Sequence, residues 1–293
     1  MIIISVYGGI GNQMFQYAIG KSLSYKLNKV VKYEYTYNLE RTDFNPSDID
    51  SIFNIFDLSG EIADIKEIKY LKGTRLSNFF KRQIEFFLKN FKNPKKIIYE
   101  KNNSFDSSIF EINDDTYLSG YWQSEKYFFE IRESIIEEFS FKKQLNNEIL
   151  LFSKEILNTE SVSVHFRGRD YLKKSNHNVC NKDYYQKCFD YINDNIHNPH
   201  YFIFSDDMEW AKNFIHIDGS HTYVDVNKWN ESSIEDMRLM SLCKHNIIAN
   251  SSFSWWAAWL NSFKEKRVLS PKKWFNNSEF TSDDIIPNTW IKI

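Results

Sequence analysis

The sequence predicts an α/β protein built from two domains, each with a parallel β-sheet. Short apolar and β-branched segments, such as residues 2–7, 162–164 and 201–204, are typical of strands buried on both faces. Each leads into a polar turn and then into apolar residues at helical spacing, which is the pattern of repeated βα units. The 293 residues are many for a single core, so we place the domains at residues 1–150 and 151–293.

The composition indicates well-filled cores and little net charge. Hydrophobic residues make up 42% and aromatic residues 17% of the chain, which leaves aromatic rings for a sugar- or base-binding cleft. The net charge of −2 gives the protein no nucleic-acid-binding signature. The three cysteines have no metal or redox spacing, which favours a reducing compartment. The chain shows neither a signal peptide nor an apolar run near the roughly 20 residues of a membrane span, which predicts a cytoplasmic protein.

The first βα unit contains a glycine-rich turn. The strand over residues 2–7 runs into Gly8-Gly9-Ile10-Gly11-Asn12-Gln13, and a helix follows from Met14 to Leu27. Backbone N–H groups at such a helix N-terminus can bind an anion or a polar ligand. The alternative is that the glycines only make a tight turn. Asn12 and Gln13 favour ligand binding, because a turn of this kind needs neither, although the spacing is neither a P-loop nor a full dinucleotide fingerprint.

The rest of the first half predicts further strands and one helix. Residues 30–35 read as a second strand, residues 116–123 as a strand ending in a glycine and an aromatic pair, and residues 125–139 as a helix. Residues 142–158 predict a polar helix that bridges the two domains. Asp48-Ile49-Asp50 resembles a metal–nucleotide signature, but the turn before it marks the segment as structural.

A basic segment covers residues 72–96. It carries eight lysines and arginines against a single acid, Glu85, with phenylalanines interleaved. This pattern predicts a basic amphipathic helix that could lie on an anionic membrane surface. The alternative is a solvated helix face whose phenylalanines pack into the core.

The second half opens with a strand at residues 162–164 that runs into a cluster of polar groups. His165, Arg167, Arg169 and Asp170 follow at once, with Gly168 between the arginines. Open α/β sheets bind ligands at the carboxyl ends of their strands. Two guanidinium groups beside a glycine suit phosphate oxygens, because each offers paired donors and the glycine allows close approach. The alternative is a surface loop with an Arg–Asp ion pair.

Two more strand ends in this half carry polar groups. The strand at 201–204 ends at Ser205-Asp206-Asp207 before a helix from Met208, and the alternative is that Ser205 or Asp206 caps that helix. The strand at 246–249 leads to Ser251 and Ser252 before a buried helix, which again suits phosphate.

Three further elements complete the second half. Residues 232–242 predict an amphipathic helix that carries Asp236, and residues 268–269 predict a last strand. The C-terminal tail is predicted to fold back across the domains.

Together these strand ends outline a nucleotide-sugar transferase. Two domains facing each other across a cleft would collect residues 8–13, 165–170, 205–207 and 250–254. Arginine, hydroxyl groups and helix N-termini would hold a diphosphate without a metal ion. A carboxylate such as Asp236 could accept hydrogen bonds from N1–H and N2–H₂ of guanine.

The chain resembles the bacterial α-1,2-fucosyltransferases, which transfer fucose from GDP-fucose to a galactoside. Five blocks in the expected order carry the resemblance: residues 8–17, 120–128, 165–171, 204–207 and 249–260. The family pattern H-x-R-R-G-D-Y reads here His165-Phe166-Arg167-Gly168-Arg169-Asp170-Tyr171. The first arginine keeps its place, whereas the second has exchanged places with the glycine.

The resemblance implies a GT-B fold, with two Rossmann-like domains, an acceptor side that is mainly N-terminal and a C-terminal donor side. It implies an inverting, metal-independent hexosyltransferase with no cofactor, GDP-fucose as donor and a β-galactoside, which can be lipid-linked, as acceptor. The setting is surface polysaccharide (O-antigen) biosynthesis at the inner face of the cytoplasmic membrane.

The resemblance also implies roles for individual residues. It assigns Arg167 to the β-phosphate, His165 and Asp236 to guanine, Ser251 and Ser252 to phosphate, and Gly11 with Asn12 to a loop over the diphosphate.

The catalytic base is a separate prediction from the residues. An inverting transfer calls for a base near the acceptor hydroxyl, and Asp170 is the first candidate, followed by Asp206 and Asp207. Three alternatives stay open: a transferase of the same fold for another sugar or acceptor, a non-catalytic glycan- or nucleotide-binding protein, and a basic membrane-associated scaffold, which rests on residues 72–96 alone.

Overall fold

A computed structural model describes residues 1–35, 51–72, 96–168, 179–226, 232–276 and 283–293 of the chain. By the contacts between its residues, the chain divides into two units. The first unit comprises Met1–Lys101, Phe105–Trp122 and Lys126–Ser140. The second unit comprises Asn102–Ser104, Gln123–Glu125 and Phe141–Ile293.

The first unit contains a parallel sheet. Its described strands are β1 (Ile2–Ser5), β2 (Val31–Glu34), β3 (Glu61–Ile62), β4 (Lys96–Tyr99) and β5 (Thr116–Ser119). They lie in the order β3-β2-β1-β5-β4, and every pair is parallel. The central strand β1 is fully buried, as its unbroken run of isoleucines predicts.

The helices of the first unit differ greatly in length. Those described are α1 (Ile10–Leu27), α2 (Ile52–Ile55), α3 (Ile65–Lys72) and α4 (Arg132–Glu138). The long helix α1 begins directly after the glycine-rich turn. In that turn Gly8 has a φ of 83°, a left-handed conformation that glycine adopts without steric cost.

The second unit contains a second parallel sheet. Its described strands are β6 (Glu160–Phe166), β7 (Pro199–Ser205), β8 (Ser220–Tyr223), β9 (His245–Ile247), β10 (Val268–Ser270) and β11 (Ile291–Lys292). They lie in the order β11-β10-β9-β6-β7-β8. The register pairs Phe166 with Ser205, so the carboxyl ends of β6 and β7 are side by side.

The helices of the second unit follow its strands in the βα pattern. Those described are α5 (Asn147–Asn158), α6 (Lys182–Asn195), α7 (Met208–Phe214), α8 (Ile234–Leu242) and α9 (Ser252–Leu260). Asn146, Asn181 and Asp207 cap α5, α6 and α7, each through a side-chain oxygen that accepts a backbone N–H.

Residues 125–139, predicted as one helix, take a different form. Two short 3₁₀ turns, Glu125–Tyr127 and Phe129–Ile131, precede α4. Tyr127 and Phe128 are both fully buried although they are adjacent in sequence. Phe128 has a φ of −137° and a ψ of 9°, which interrupts the helical backbone between the two turns, so the prediction of one continuous helix is wrong.

The segment predicted to bridge the domains belongs to the second unit. Its helix, α5, starts at Asn147 and packs on β6 and α8, with Ile149 and Ile156 fully buried. Residues 141–150, which the sequence assigned to the first domain, are therefore in the second unit by contact.

The C-terminal tail, predicted to fold back across the domains, adds a strand to the second sheet. Residue Ile291 of β11 pairs with Leu269 of β10. The ring of Trp290 lies 5.4 Å from that of Trp255, so the tail packs on α9.

Several predicted features lie outside the described residues. They are Asp48-Ile49-Asp50, most of the basic segment at 72–96, and both Arg169 and Asp170. In the described parts of the chain, no helix has the length and apolar character needed to cross a membrane.

Candidate active site

Four neighbouring strands of the second sheet end at one edge. Strands β9, β6, β7 and β8 are adjacent and parallel, so the residues that follow them lie near one another. This edge collects His165, Arg167, Asp206 and the start of α9. Sequence patterns placed these groups at strand ends, and the strand order brings them together.

His165 is a buried, neutral imidazole near the end of β6. Its residue is 4% exposed, its carbonyl accepts a hydrogen bond from the Tyr185 hydroxyl, and its ring lies 5.9 Å from that of Phe253 in α9. Burial, and then the charge of Arg167, lowers the pKa of His165 to about 3. Its Nδ1 is buried and has no hydrogen-bond partner among the described residues. The neutral ring can therefore form a hydrogen bond with a ligand through Nδ1.

Arg167 is held by an acid from the neighbouring strand. One guanidinium nitrogen lies 3.0 Å from Oδ2 of Asp206, and Oδ1 of Asp206 accepts the backbone N–H of Gly168 at 2.8 Å. Asp206 thereby fixes both the side chain and the backbone of the turn after β6. The guanidinium is still partly exposed, so it can meet a ligand.

The glycine at position 168 fits closely against α7. A Cβ added there would lie 2.8 Å from Cε3 of Trp210, and that ring cannot move aside as a flexible chain end could. Only glycine fits this turn without displacement, which gives a physical reason for the glycine that stands where the family pattern has its second arginine.

The two acids after β7 serve the local structure. Asp206 holds the Arg167 turn, and Oδ1 of Asp207 accepts the N–H of Trp210 at 3.0 Å as the cap of α7. The alternative that Ser205 or Asp206 caps this helix is wrong, because Asp207 is the cap. Both oxygens of Asp206 and one oxygen of Asp207 are engaged, which makes these acids weaker base candidates than the sequence suggested.

The N-terminus of helix α9 has no capping hydrogen bond from the side chain of its cap residue. Ser251 is nearly buried and precedes the helix, yet its side chain accepts no hydrogen bond from the helix backbone. The first turn contains no acidic residue. Backbone N–H groups and the positive end of the helix dipole therefore point at the sheet edge, where Ser252 is partly exposed. This geometry suits phosphate.

Asp236 borders a cavity at the same edge, which Asp206 also lines. The cavity has a volume of about 310 Å³ and is lined by residues that follow β7 and β8, among them Asp225, together with Asp236 of α8. Oδ1 of Asp236 is buried and has no hydrogen-bond partner in the described ranges. Burial, and then Asp225 and Glu235, raises the pKa of Asp236 well above its ordinary value. A ligand that donates hydrogen bonds, such as a guanine edge, would satisfy this carboxyl group.

Gly11 and Asn12 belong to the first turn of α1, in the first unit. Gly11 is buried and Asn12 is partly exposed. Gln13 donates from Nε2 to the carbonyl of Gly8 at 2.9 Å, and its Oε1 accepts the N–H of Ile52 at 3.3 Å. The amide of Gln13, which the sequence linked to ligand binding, therefore holds the turn in place.

The structure adds residues that sequence reasoning missed or assigned differently. Asp206 is a partner of Arg167, Trp210 shapes the turn at Gly168, and Asp225 lines the cavity beside Asp236. No local pattern could identify these pairs, because each depends on which strands are neighbours. For metal ions, the described residues contain no group of three or more His, Cys, Asp or Glu side chains that could bind one.

A comparison with protein families decides which class of protein carries this site. The family model described as glycosyl transferase family 11 matches residues 1–293. This chain belongs to glycosyl transferase family 11. The predicted resemblance is thereby confirmed at the level of the family.

Two relatives match nearly the whole chain, and both are from Escherichia coli. An α-1,2-colitosyltransferase is 33% identical over 303 residues, covering 100% of this chain and 99% of that protein. The O-antigen biosynthesis glycosyltransferase WbnK is 33% identical and covers 98% of each chain. A galactoside 2-α-L-fucosyltransferase, SEC1 of Bos taurus, is 26% identical over 152 residues, which are 49% of this chain and 41% of that protein.

A solved structure supports the fold. An Arabidopsis thaliana FUT1 mutant, determined in complex with GDP, has a TM-score of 0.52 at 11% identity and covers 98% of this chain and 74% of that chain. At this identity the likeness concerns the fold alone. It confirms the predicted α/β fold of the GT-B type.

Proposed function

We propose that this member of family 11 transfers L-fucose from GDP-fucose to the 2-hydroxyl group of a galactoside, with inversion at the anomeric carbon and without a metal ion. The setting is assembly of a surface polysaccharide. The observation that carries the proposal is Arg167, fixed by Asp206 at the same sheet edge as the open N-terminus of α9. This arrangement supplies positive charge where a nucleoside diphosphate would leave.

The electrostatics define the roles of the donor residues. As the bond to the sugar breaks, negative charge grows on the β-phosphate. Arg167, the hydroxyl groups of Ser251 and Ser252 and the N–H groups of the first turn of α9 stabilise it. Asp236 and neutral His165 read the guanine edge. Gly11 and Asn12, in the first unit, are proposed to lie over the diphosphate.

The acceptor hydroxyl must lose a proton during transfer. Asp170 is the proposed base, and the engagement of Asp206 and Asp207 leaves it the strongest candidate among the three. An Asp170→Asn variant should fold normally and turn over slowly. Full activity in that variant would exclude Asp170 as the base.

A second candidate donor is the GDP derivative of colitose, the 3-deoxy analogue of fucose. The relative named as a colitosyltransferase matches the whole chain, whereas the fucosyltransferase SEC1 matches about half of it. Both donors present the same diphosphate and base, so the site features above do not choose between them. The choice depends on contacts to the sugar 3-hydroxyl group.

The decisive experiment incubates the purified protein with GDP-fucose or GDP-colitose and a panel of β-galactosides, without added metal. We expect GDP release that depends on one galactoside, with an α-1,2 linkage in the product. A preference for GDP-colitose would assign the second candidate. Saturable binding without GDP release would support the non-catalytic alternative, and failure to bind GDP would overturn the donor assignment altogether.

A further inference from the structure

Two tyrosines lie side by side at the carboxyl edge of the first sheet. Tyr7 follows β1 and Tyr121 follows β5, and these strands are parallel neighbours. The two ring centroids are 5.2 Å apart and the rings are tilted by 54°. Tyr121 is 38% exposed and Tyr7 is partly exposed. The pair adjoins the glycine-rich turn, since a Cβ added to Gly8 would lie 3.7 Å from Cε1 of Tyr121.

A buried glutamine joins the two loops that carry these rings. Oε1 of Gln16 accepts the N–H of Tyr7 at 2.9 Å, and its Nε2 donates to the carbonyl of Gly120 at 2.9 Å. Gln16 is fully buried in α1. Because both ends of one amide are used, the loops after β1 and β5 keep a fixed spacing.

A carboxylate holds the second loop from the other side. Glu100, which follows β4, accepts the N–H of Tyr121 at 2.6 Å through Oε2 and that of Trp122 at 2.9 Å through Oε1. A Cβ added to Gly120 would clash with the Cβ of Glu100. Glycine at position 120 therefore allows this clamp to form.

The clamped loop is strained. Trp122 has a φ of 56°, which is unfavourable for a bulky residue, and its side chain is fully buried. Strain of this kind persists where surrounding contacts impose it, and it clusters at ligand sites. Here the strain turns the Trp122 ring into the core while the neighbouring ring of Tyr121 stays at the surface.

We propose that Tyr7 and Tyr121 form the surface on which the acceptor sugar packs, and that Gln16 and Glu100 are positioning residues for it. This inference rests on the proposed transferase function. A β-galactoside has an apolar face made by its C3, C4 and C5 hydrogens, and aromatic rings are suited to such a face. Both rings are partly exposed, and the amide of Gln16 and the carboxylate of Glu100 hold the loops that carry them.

The test replaces each ring and measures acceptor and donor parameters separately. In Tyr121→Ala and Tyr7→Ala, we expect the acceptor KM to rise roughly tenfold while the Kd for GDP stays unchanged. Tyr121→Phe keeps the aromatic face and should keep most of the acceptor affinity. Tyr25→Ala is the matched control: Tyr25 is 72% exposed in the last turn of α1, at the opposite end of that helix, and its loss should change neither constant.

Glu100→Gln tests the positioning role. A carboxamide has one oxygen, so one of the two loop N–H groups loses its acceptor and the ring of Tyr121 is less well held. We expect a several-fold rise in acceptor KM in the native background and almost none in Tyr121→Ala. Additive effects in the double variant would show that Glu100 acts independently of the ring and would overturn its positioning role.

Direct binding separates this inference from the proposed reaction. Saturation-transfer NMR with methyl β-D-galactoside, in the presence of GDP, should give a signal in the native protein that is lost in Tyr121→Ala and retained in Tyr25→Ala. An equal signal in both variants, or none in the native protein, would overturn the tyrosine surface. Absence of transfer with this NMR pattern intact would instead overturn the reaction alone.

Discussion

At the scale of single residues, Asp206 decides the geometry of the donor site. It pairs with the guanidinium of Arg167 and accepts the N–H of Gly168 at the same time. A residue that is distant in the sequence therefore positions the guanidinium that would bind the ligand. The acid that pairs with Arg167 follows the neighbouring strand β7, whereas Asp170, the acid of the loop itself, lies outside the described residues.

Arg167→Ala should lower kcat by roughly two to three orders of magnitude, because one preorganised donor to a developing charge contributes about 3–4 kcal/mol. Asp206→Asn should lower kcat less, by roughly tenfold, since the guanidinium remains but is less well oriented. Steady-state assays with GDP-fucose check both. Asp183→Asn, which removes an exposed ion pair with Lys187, is the control and should have no effect. Normal turnover in Arg167→Ala would refute the phosphate role.

Gly168→Ala should destabilise the protein by about 1–3 kcal/mol, because the added methyl group overlaps the ring of Trp210. Urea unfolding would measure the change. Gly9→Ala is a suitable control, since a Cβ there has no neighbour within 4 Å and should cost less. A smaller ring in the double variant Gly168→Ala/Trp210→Phe should recover part of the loss, and no recovery would argue against the overlap.

His165 should make stability depend on pH in acid. Its folded pKa of about 3 lies below the ordinary value of roughly 6.5, so the unfolded chain binds a proton that the folded chain excludes. The free energy of unfolding should therefore fall as pH drops from about 6.5 towards 3, by at most ~1.4 kcal/mol per pH unit.

The comparison of native protein with His165→Gln isolates this contribution from those of the carboxyl groups. Denaturant unfolding at a series of pH values should give a shallower acid slope in the variant. Equal slopes would mean that His165 is protonated in the folded state.

At the scale of elements, α9 acts through its N-terminus. The helix begins directly after β9 at the sheet edge, its cap residue Ser251 makes no capping bond, and two tryptophans anchor the rest of it in the core. The rigid packing of Trp255 and Trp256 fixes the direction of the helix axis, and hence where its N–H groups point. A phosphate placed there would gain from both the hydrogen bonds and the helix dipole.

Ser252→Asp should change the stability of the protein and its affinity for GDP in opposite directions. A negative charge in the first turn stabilises the helix by about 0.3–1 kcal/mol but repels a phosphate at the same place. We therefore expect a slightly raised free energy of unfolding together with at least a roughly tenfold weaker affinity for GDP. Titration calorimetry and urea unfolding check the two effects, with the neutral Ser252→Asn as control. Unchanged GDP affinity in Ser252→Asp would show that phosphate binds elsewhere.

At the scale of the whole molecule, each of the two parallel sheets carries a candidate binding surface at the carboxyl ends of its strands. The second sheet carries cationic and N–H groups suited to a diphosphate, and the first carries the tyrosine pair suited to a sugar. This division matches the acceptor and donor sides that the family resemblance implies, and the assignment of sides remains a prediction.

Removal of metal ions tests the chemistry that this division implies. If Arg167 and α9 supply the positive charge, turnover should be the same, within about twofold, with a chelator or with added Mg²⁺ or Mn²⁺. The assay is GDP release under the conditions that give transfer. A loss of activity in chelator that Mn²⁺ restores would contradict the metal-independent mechanism.

The sequence by itself determined the local elements and the family. Three elements are found where their apolar composition predicts them. They are the isoleucine strand before the glycine-rich turn, the apolar strand before His165 and the tryptophan-rich helix after Ser251. Residues 125–139 were predicted as one helix, whereas the structure has two 3₁₀ turns before α4, because an apolar pattern does not show where a helix is interrupted.

Only the tertiary structure decided which strand ends are neighbours. Three interactions join segments that are far apart in sequence. They are the bonds from Asp206 to the Arg167 turn, the close fit of Gly168 against Trp210 and the hydrogen bond from Gln16 to Gly120. Hydrophobic patterns specify which face of a strand is buried, but they do not specify the order of the strands in the sheet. The cross-strand partners that fix both candidate binding surfaces therefore emerge only when the sheets are assembled.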